Sequence, residues 1–216
     1  MKCSVAISAG LALVGFASAA PTSLEAREVK SAAQIIGEIA PNSLSCPNSK
    51  DVHDDCRTNV QAAPFFIKAF IDYGLKNYGQ MAAVLALTSL ESVDYKYKHN
   101  VNPGRPGQGT SNMQMIQFNQ EYAASIPELK DQLAAIGTVD TPDKQNAVLA
   151  LVKDDKYNFA SGAWFLTKHC PESVNALKAR GAQLDTAFQG YMQCIGVDID
   201  AARQQKWNLA KTAFGL

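Results

Sequence analysis

Apolar residues recur at helical spacing through most of the 216-residue chain. Ala32, Ile35, Ile36 and Ile39 fall on one face of a helix, because residues three or four apart share a face. Similar stripes predict helices at residues 29–39, 65–73, 141–152, 171–181, 188–195 and 199–214. Strand-like alternation is nearly absent, and no internal repeat is present. The pattern predicts an all-α protein, with an α-rich α+β protein as the alternative.

One predicted helix is apolar on almost every side. It covers residues 80–90, and a helix without a polar face is expected inside a domain rather than on its surface. Glu91 follows it directly, and the stretch 93–110 after it contains the glycines and prolines typical of a loop. Helical sequence resumes near Met113. Glu91 is therefore expected at the C-terminal end of a core helix, with the loop through Gly109 as one wall of a cleft.

A carboxyl group in this position has two reasons to hold its proton. Partial burial disfavours the charged form, and the negative end of the helix dipole disfavours it further. A glutamic acid that stays protonated at about pH 5–6 can donate a proton to a glycosidic oxygen. The alternative is that Glu91 simply ends the helix and points into water. Asp94, three residues later, is expected to be a solvated loop residue without an essential role.

The N-terminus has the three parts of a secretory signal peptide. Lys2 gives a positive start, residues 5–16 are apolar, and residues 17–19 (Ala-Ser-Ala) suit a cleavage site. The apolar run is shorter than the ~20 residues that a bilayer requires, so a membrane span is not expected. We divide the chain into a signal peptide (1–20), a short propeptide or N-terminal segment (21–40) and a helical domain (41–216). The protein is expected to be secreted and extracellular.

Cysteine usage agrees with export. Cys3 lies in the predicted signal peptide, which leaves Cys46, Cys56, Cys170 and Cys194. An even set in an exported chain predicts two disulfides, and four cysteines allow three pairings. Bridges Cys46–Cys56 and Cys170–Cys194 are favoured, because short loops close at a small entropic cost.

Charge and metal-ligand spacing exclude several classes of partner. Lys+Arg and Asp+Glu both number 20, whereas nucleic-acid binding requires a basic excess. No cysteine pair has Cys-x-x-Cys spacing, and His53, His99 and His169 are far apart, so no metal or other cofactor is expected. We expect a monomer that binds neither nucleic acid nor a membrane.

Three segments carry a resemblance to a known family. The first is Glu91-Ser92 followed, after the loop, by residues 109–115 (Gly-Thr-Ser-Asn-Met-Gln-Met). The second, residues 158–166, reads Asn-Phe-Ala-Ser-Gly-Ala-Trp-Phe-Leu and fits Asn-x-x-x-Gly-Ala-x-x-Leu position by position. The third, residues 187–191, matches an aromatic-Asn-Ala-Gly turn only loosely. Over residues 80–191 the chain resembles the lysozyme-like superfamily, most of all its soluble lytic transglycosylase and goose-type lysozyme branch.

The resemblance implies a lysozyme-like single domain and assigns roles within it. It makes Glu91 the catalytic general acid and base, and it implies substrate-binding roles for Ser92, Met113, Gln114, Asn158 and Tyr191. Two departures bear on substrate contacts: residues 102–109 form an insert, and the third segment lacks the family's asparagine. The leader followed by residues 21–27 also resembles the start of secreted fungal proteins.

Two classes of function follow from these expectations. The first is a secreted glycosidase or lytic transglycosylase that cleaves β-1,4-linked N-acetylated glycans, such as peptidoglycan or a chitin-like polymer. The second is a non-catalytic secreted protein that keeps the fold and binds glycans or a host partner. A structural wall or surface protein without a site is a further alternative. Product analysis on peptidoglycan and chitin distinguishes the classes.

Overall fold

A computed structural model of the protein describes residues 29–48 and 54–216, and helices dominate them. The helices are α1 (Ala32–Ile39), α2 (Asn59–Asp72), α3 (Tyr78–Glu91), α4 (Ile116–Ser125), α5 (Lys130–Ile136), α6 (Pro142–Val152), α7 (Asp155–Asn158), α8 (Ser161–His169), α9 (Pro171–Ala176), α10 (Ala182–Cys194) and α11 (Ala201–Phe214). Short 3-10 helices occupy Pro41–Leu44 and Pro127–Leu129. In these parts of the chain, β-pairing is limited to isolated bridges from Gly109 to His99 and to Gln114. The predicted all-α class is confirmed.

Helix α3 lies at the centre of the fold. Asn77 caps its start, since the Asn77 side-chain oxygen accepts from Gly79 N at 2.9 Å and Gln80 Oε1 accepts from Asn77 N at 3.1 Å. Residues 82–89 are all buried, as the all-round apolar pattern predicts. Helix α11 packs along α3, and α1 and α8 contact it as well. The C-terminal end of α3, where Glu91 lies, is thereby fixed within the packed domain.

Two glycines allow the backbones around α3 to approach closely. A Cβ atom on Gly79 would lie 2.2 Å from the carbonyl oxygen of Leu177, and one on Gly162 of α8 would lie 2.7 Å from Thr88 Cγ2. Neither position has room for a side chain. The α3–α8 and α3–Leu177 contacts therefore depend on glycine at these two places.

Both predicted disulfides are present. Cys46 is bonded to Cys56, and Cys170 at the end of α8 is bonded to Cys194 at the end of α10. The pairing that short loops favour is therefore confirmed. Disulfides persist in oxidising compartments, so this chemistry is compatible with export. Within the described residues, no helix is both long and apolar enough to cross a membrane.

The packed domain begins before residue 41. Helix α1 lies within the predicted segment 21–40, yet Ile36 and Ile39 are buried in the core, and α1 packs on α2 and α11. Its Ser31 cap accepts from Gln34 N, which gives the helix a defined start. The predicted signal peptide, residues 1–20, lies outside the described residues, as do residues 21–28 and 49–53.

Helix boundaries differ from the prediction near residue 177. The segment predicted as one helix at 171–181 ends at Ala176 as α9, and Gly181 precedes α10 with a φ of 57°. Leu177 is fully buried and presents its carbonyl to Gly79, a tertiary contact that a continued helix would not provide. The predicted helix 188–195 is the second half of the longer α10.

Candidate functional site

A cleft of about 240 Å³ opens at the C-terminal end of α3. Its polar lining comes from Glu91, Gln108, Asn112, Gln114 and Arg203. Its apolar lining comes from Leu87, Met113, Met115, Phe118, Phe165, Ile195 and Val197. The loop after α3 continues to Met115, beyond the stretch 93–110 that the sequence predicted, and helix resumes at Ile116 rather than near Met113. This loop supplies Gln108 and residues 112–115 to one wall of the cleft. Charge, amide groups and apolar surface therefore meet in one depression.

The carboxylate of Glu91 is paired with an arginine. Arg203 Nη2 donates to Glu91 Oε1 at 2.8 Å. Arg203 is held there by the start of α11, where Asp200 is the N-cap and accepts from Arg203 N at 2.8 Å and from Arg203 Nη1 at 3.0 Å. The guanidinium thus lies between two carboxylates. Glu91 is therefore neither a helix end pointing freely into water nor an isolated buried acid.

Burial controls the acidity of Glu91. Desolvation raises the pKa of its carboxyl above the ordinary glutamate value, and the nearby charge of Asp200 raises it further. The adjacent Arg203 guanidinium lowers the pKa and offsets part of this effect. The net direction is upward, which agrees with the expectation from the sequence. The positive partner, however, favours the ionised carboxylate in this structure.

A network of amide groups holds the loop wall. Gln114 Nε2 donates to Asn119 Oδ1 at 2.8 Å, and Asn119 Nδ2 donates to Gly107 O at 2.8 Å. Gln108 Nε2 donates to the carbonyl of Met113 at 3.0 Å, and Asn112 Nδ2 lies 3.3 Å from Gln114 Oε1. The insert at 102–109 is therefore tied to the turn that follows it. Buried amide networks of this kind hold a wall in one conformation.

Aromatic and thioether side chains form the facing surface. Phe118 of α4 and Phe165 of α8 meet edge to face, with ring centroids 4.9 Å apart. Met115 is the residue preceding α4 and makes no side-chain cap; its side chain lines the cleft, and its sulfur accepts from Arg105 Nη1 at 4.0 Å. Such a surface can pack against the C–H face of a ring or against a methyl group.

Of the site residues predicted from the sequence, the structure brings Glu91, Met113 and Gln114 together in the cleft. Gln114 is mostly buried, and its amide belongs to the loop network described above. Met113 adopts a φ of 47°, a left-handed turn conformation that is unusual for a methionine. These three residues share one surface because the loop folds back on the end of α3.

Ser92, Asn158 and Tyr191 do not line the cleft. All three are fully buried or nearly so. Ser92 Oγ donates to Thr88 O at 2.6 Å and accepts from Tyr95 N at 2.8 Å, so it closes the end of α3. The substrate-binding roles predicted for these residues do not agree with their burial in this structure.

Asn158 and Tyr191 lie in the interior of the domain. The Asn158 carbonyl accepts from Ser111 Oγ and from Ser161 Oγ, both at 2.8 Å, and so ties the loop to α8. Tyr191 lies beneath Glu91: burial raises the pKa of its hydroxyl, and the Glu91 carboxylate raises it further. The side-chain oxygens of both residues are buried and have no hydrogen-bond partner among the described residues.

Asp94 is not a solvated loop residue. Its side chain is 3% exposed and pairs with Lys206 of α11. Asp94 Oδ2 also accepts from Asn42 N at 3.2 Å and from Asn42 Nδ2 at 3.0 Å. The expectation from the sequence is wrong here, because α11 and the 3-10 turn at Pro41–Leu44 close over the residue.

Arg203 is the functional candidate that sequence reasoning missed. It is far from Glu91 in sequence, and no local pattern links the two residues. The available signal was the N-cap Asp200 followed three residues later by a cation, which fixes the side chain near the helix start. Among the described residues, no group of three or more His, Cys, Asp or Glu is placed to hold a metal ion.

Comparison with known proteins gives one extended match. Over 160 residues, or 73% of this chain, the sequence is 46% identical to a Fusarium oxysporum (strain Fo5176) protein described as a bifunctional dioxygenase (DOX)-epoxy alcohol synthase (EAS). The matched segment is 12% of that much longer protein. No protein-family model matches the chain, and no solved structure matches it.

This match corrects the family assignment made from the motifs. The matching protein has a different description, and no family model matches the chain. These findings overturn the resemblance to the lysozyme-like superfamily and to its transglycosylase branch. The descriptions hydrolase, glycosidase and peptidoglycan-cleaving rested on that resemblance, so the same match overturns them. The structure shows why the motifs misled. Ser92 closes the end of α3 with its side chain, a role that serine fills in unrelated proteins, and Asn158 joins the loop to α8 through its backbone carbonyl, which any residue could supply.

Proposed function

We propose that this domain is a secreted, monomeric glycan-binding protein whose cleft at Glu91 takes an N-acetylated sugar unit. The observation that supports the proposal is the composition of the cleft. The Glu91–Arg203 pair and the amides of Gln108 and Asn112 lie in the same depression as the apolar surface that includes Met115. An N-acetylated sugar has matching groups: hydroxyls, an amide, an acetyl methyl and a C–H face.

The size and polarity of the cleft support this ligand class. Its volume of about 240 Å³ is below the ~300–1,000 Å³ of sites for drug-sized molecules, which suits a short unit of a chain. We do not propose that the protein binds nucleic acid or a membrane. The dioxygenase and synthase activities named for the Fusarium protein belong to a protein of which the matched segment is 12%, so they are not part of it either.

Cleavage of a bound glycan by Glu91 stays a prediction from the sequence. The raised pKa of Glu91 favours proton donation, whereas the contact with Arg203 opposes it. Binding requires no proton transfer, and the charged pair itself can accept and donate hydrogen bonds. For this reason binding is the function that the geometry supports better.

Calorimetric titration with chitotriose and with peptide-free peptidoglycan strands tests the proposal. Met115→Ser removes apolar lining but places a preferred N-cap residue before α4, so folding is retained. Its affinity should fall about ten-fold, because one buried apolar side chain contributes roughly 1.5–3 kcal/mol. Gln117→Ala, an exposed neighbour on α4 that does not line the cleft, is the matched control and should bind like the wild type.

The outcomes are distinct. The proposal is contradicted if the wild type binds neither glycan. It is also contradicted if both variants bind as tightly as the wild type. Mass spectrometry of the same mixtures measures cleavage. Shortened glycans that appear with the wild-type protein and not with Glu91→Gln would support the proton-donor role of Glu91.

A further inference from the structure

A second and larger depression lies on another surface of the protein. It has a volume of about 510 Å³, is lined by α1, α2, α3 and the end of α11, and shares no lining residue with the Glu91 cleft. We call it the apolar groove. Its lower surface includes Phe66, Phe70 and Leu85, which are buried in the core. Its volume falls within the ~300–1,000 Å³ range of small-molecule sites.

The rim of the apolar groove exposes large apolar side chains to solvent. Ile71 is 70% exposed, and Ile67 and Tyr78 are about half exposed. Tyr78 packs against Phe214, with ring centroids 5.4 Å apart, so the end of α11 extends the same surface. Isolated exposed apolar residues are common, but several around one concave surface mark a binding site.

The rim of the apolar groove carries positive charge only. Lys76 is the one charged residue among the described residues that line the apolar groove. It is exposed and makes no ion pair within residues 29–48 and 54–216. The other lysines near α2 and α11 differ, since Lys68 pairs with Asp72 and Lys211 pairs with Asp185. A single unpaired cation therefore stands beside an otherwise apolar surface.

We propose that the apolar groove binds a single-chain amphipathic carboxylate of the fatty-acid type, with its alkyl chain along Phe70 and Ile71 and its carboxylate at Lys76. Apart from Lys76 and the hydroxyl of Tyr78, the side chains that line the groove are apolar, so an alkyl chain matches the lining. A lysine at the rim pairs with a carboxylate while its own stem lies against the apolar wall. This site is independent of the glycan-binding proposal.

Dodecanoate and dodecyltrimethylammonium test both halves of the inference, because they share an alkyl chain and carry opposite charges. Titrations below the micelle concentration should show dodecanoate binding more tightly to the wild type. Lys76→Glu should reverse that preference. Ile71→Asp should weaken dodecanoate binding at least ten-fold, because it places a carboxylate in the path of the chain. Folding should survive, since Ile71 is largely exposed.

The matched control is Val60→Asp. Val60 is on the same helix α2 and is 67% exposed, but it does not line the apolar groove, so binding should be unchanged. No dodecanoate binding by the full chain, or binding equal in Ile71→Asp and the wild type, overturns the proposal. An unchanged charge preference in Lys76→Glu overturns the placement of the carboxylate.

Other occupants of the apolar groove give different results. If a second copy of the chain covers it, the wild type fails to bind dodecanoate, and light scattering then identifies a dimer that Ile71→Asp dissociates. The Met115→Ser variant separates the two sites. It should bind dodecanoate like the wild type whether or not the Glu91 cleft binds a glycan.

Discussion

Glu91 and Arg203 are in contact, with 2.8 Å between Oε1 and Nη2, although one ends α3 and the other lies in the first turn of α11. Asp200 holds Arg203 from the other side at 3.0 Å. The two helices also make the most extensive helix contact in the described fold. The charge at the cleft is thus set by the α3–α11 interface and not by the loop that the sequence emphasises.

The pKa of Glu91 should respond to each neighbour with a defined sign. It should lie above the ordinary value of 4.5, because burial is the largest influence on it. Arg203→Gln should raise it further by removing the cation, whereas Asp200→Asn should lower it by removing the second negative charge while keeping the α11 cap. Carboxyl NMR titration of the three proteins measures these shifts, and movement of both variants in one direction would contradict the assignment.

The same raised pKa predicts how stability depends on pH. A carboxyl whose pKa is higher in the folded state than in the unfolded state contributes stability that is fully present below the unfolded value. That contribution is lost as pH rises through the folded-state pKa. The difference in unfolding free energy between the wild type and Glu91→Gln should therefore fall as pH rises from the ordinary value of 4.5. Urea unfolding titrations across this pH window measure the difference in unfolding free energy. A difference that grows with pH would contradict the raised pKa of Glu91.

Asp94 should matter for stability. Asp94→Asn leaves Lys206 without its carboxylate partner inside the fold, and breaking a buried pair in this way costs about 3 kcal/mol. Asparagine tolerates the left-handed backbone at this position, where φ is 56°, so backbone strain is not added. Asp72→Asn removes an exposed pair with Lys68 and is the control, with an expected loss of about 0.5 kcal/mol or less. Equal losses in urea unfolding would contradict the role given to Asp94.

Two glycines in helices should respond oppositely to alanine. Gly79→Ala forces a methyl group to within 2.2 Å of a backbone carbonyl, which cannot move aside like a side chain, and should destabilise the protein by about 2–3 kcal/mol. Gly190→Ala meets nothing within 4 Å on the exposed face of α10 and should stabilise it by up to about 1 kcal/mol. Thermal unfolding of the pair measures both effects, and the prediction fails if Gly79→Ala is neutral.

The two disulfides should differ in importance according to loop length. Removing Cys170–Cys194, which spans 24 residues, should cost about 3 kcal/mol. Removing Cys46–Cys56, which spans 10 residues, should cost slightly less than removing Cys170–Cys194, because the shorter loop restricts the unfolded chain less. The difference between the two losses should be under about 1 kcal/mol. Double alanine variants compared by urea unfolding without reductant give the two values. A larger loss from the shorter loop would show that native contacts at Cys46 outweigh the entropy of the unfolded chain.

Local patterns were enough to predict several features of this protein. The apolar stripe of α1, the all-round apolar character of α3 and the proline that opens α6 are properties of adjacent residues, so the helices are readable from them. The disulfides were readable as well, because short loops make Cys46–Cys56 and Cys170–Cys194 the favoured pairs. The position of Glu91 at the end of a buried helix belongs to the same class of inference.

Tertiary packing alone decided the rest. Arg203 reaches Glu91, and Lys206 reaches Asp94, because α11 packs along α3, and no pattern within either segment encodes that contact. Serine closes helices in many folds, so Ser92 resembled part of an active site while its side chain holds the end of α3. Sequence by itself determined several of the helices and the place of Glu91 at the end of one of them. Only the folded structure determined which charges surround it, because the energy of a charge depends on neighbours brought together from distant parts of the chain.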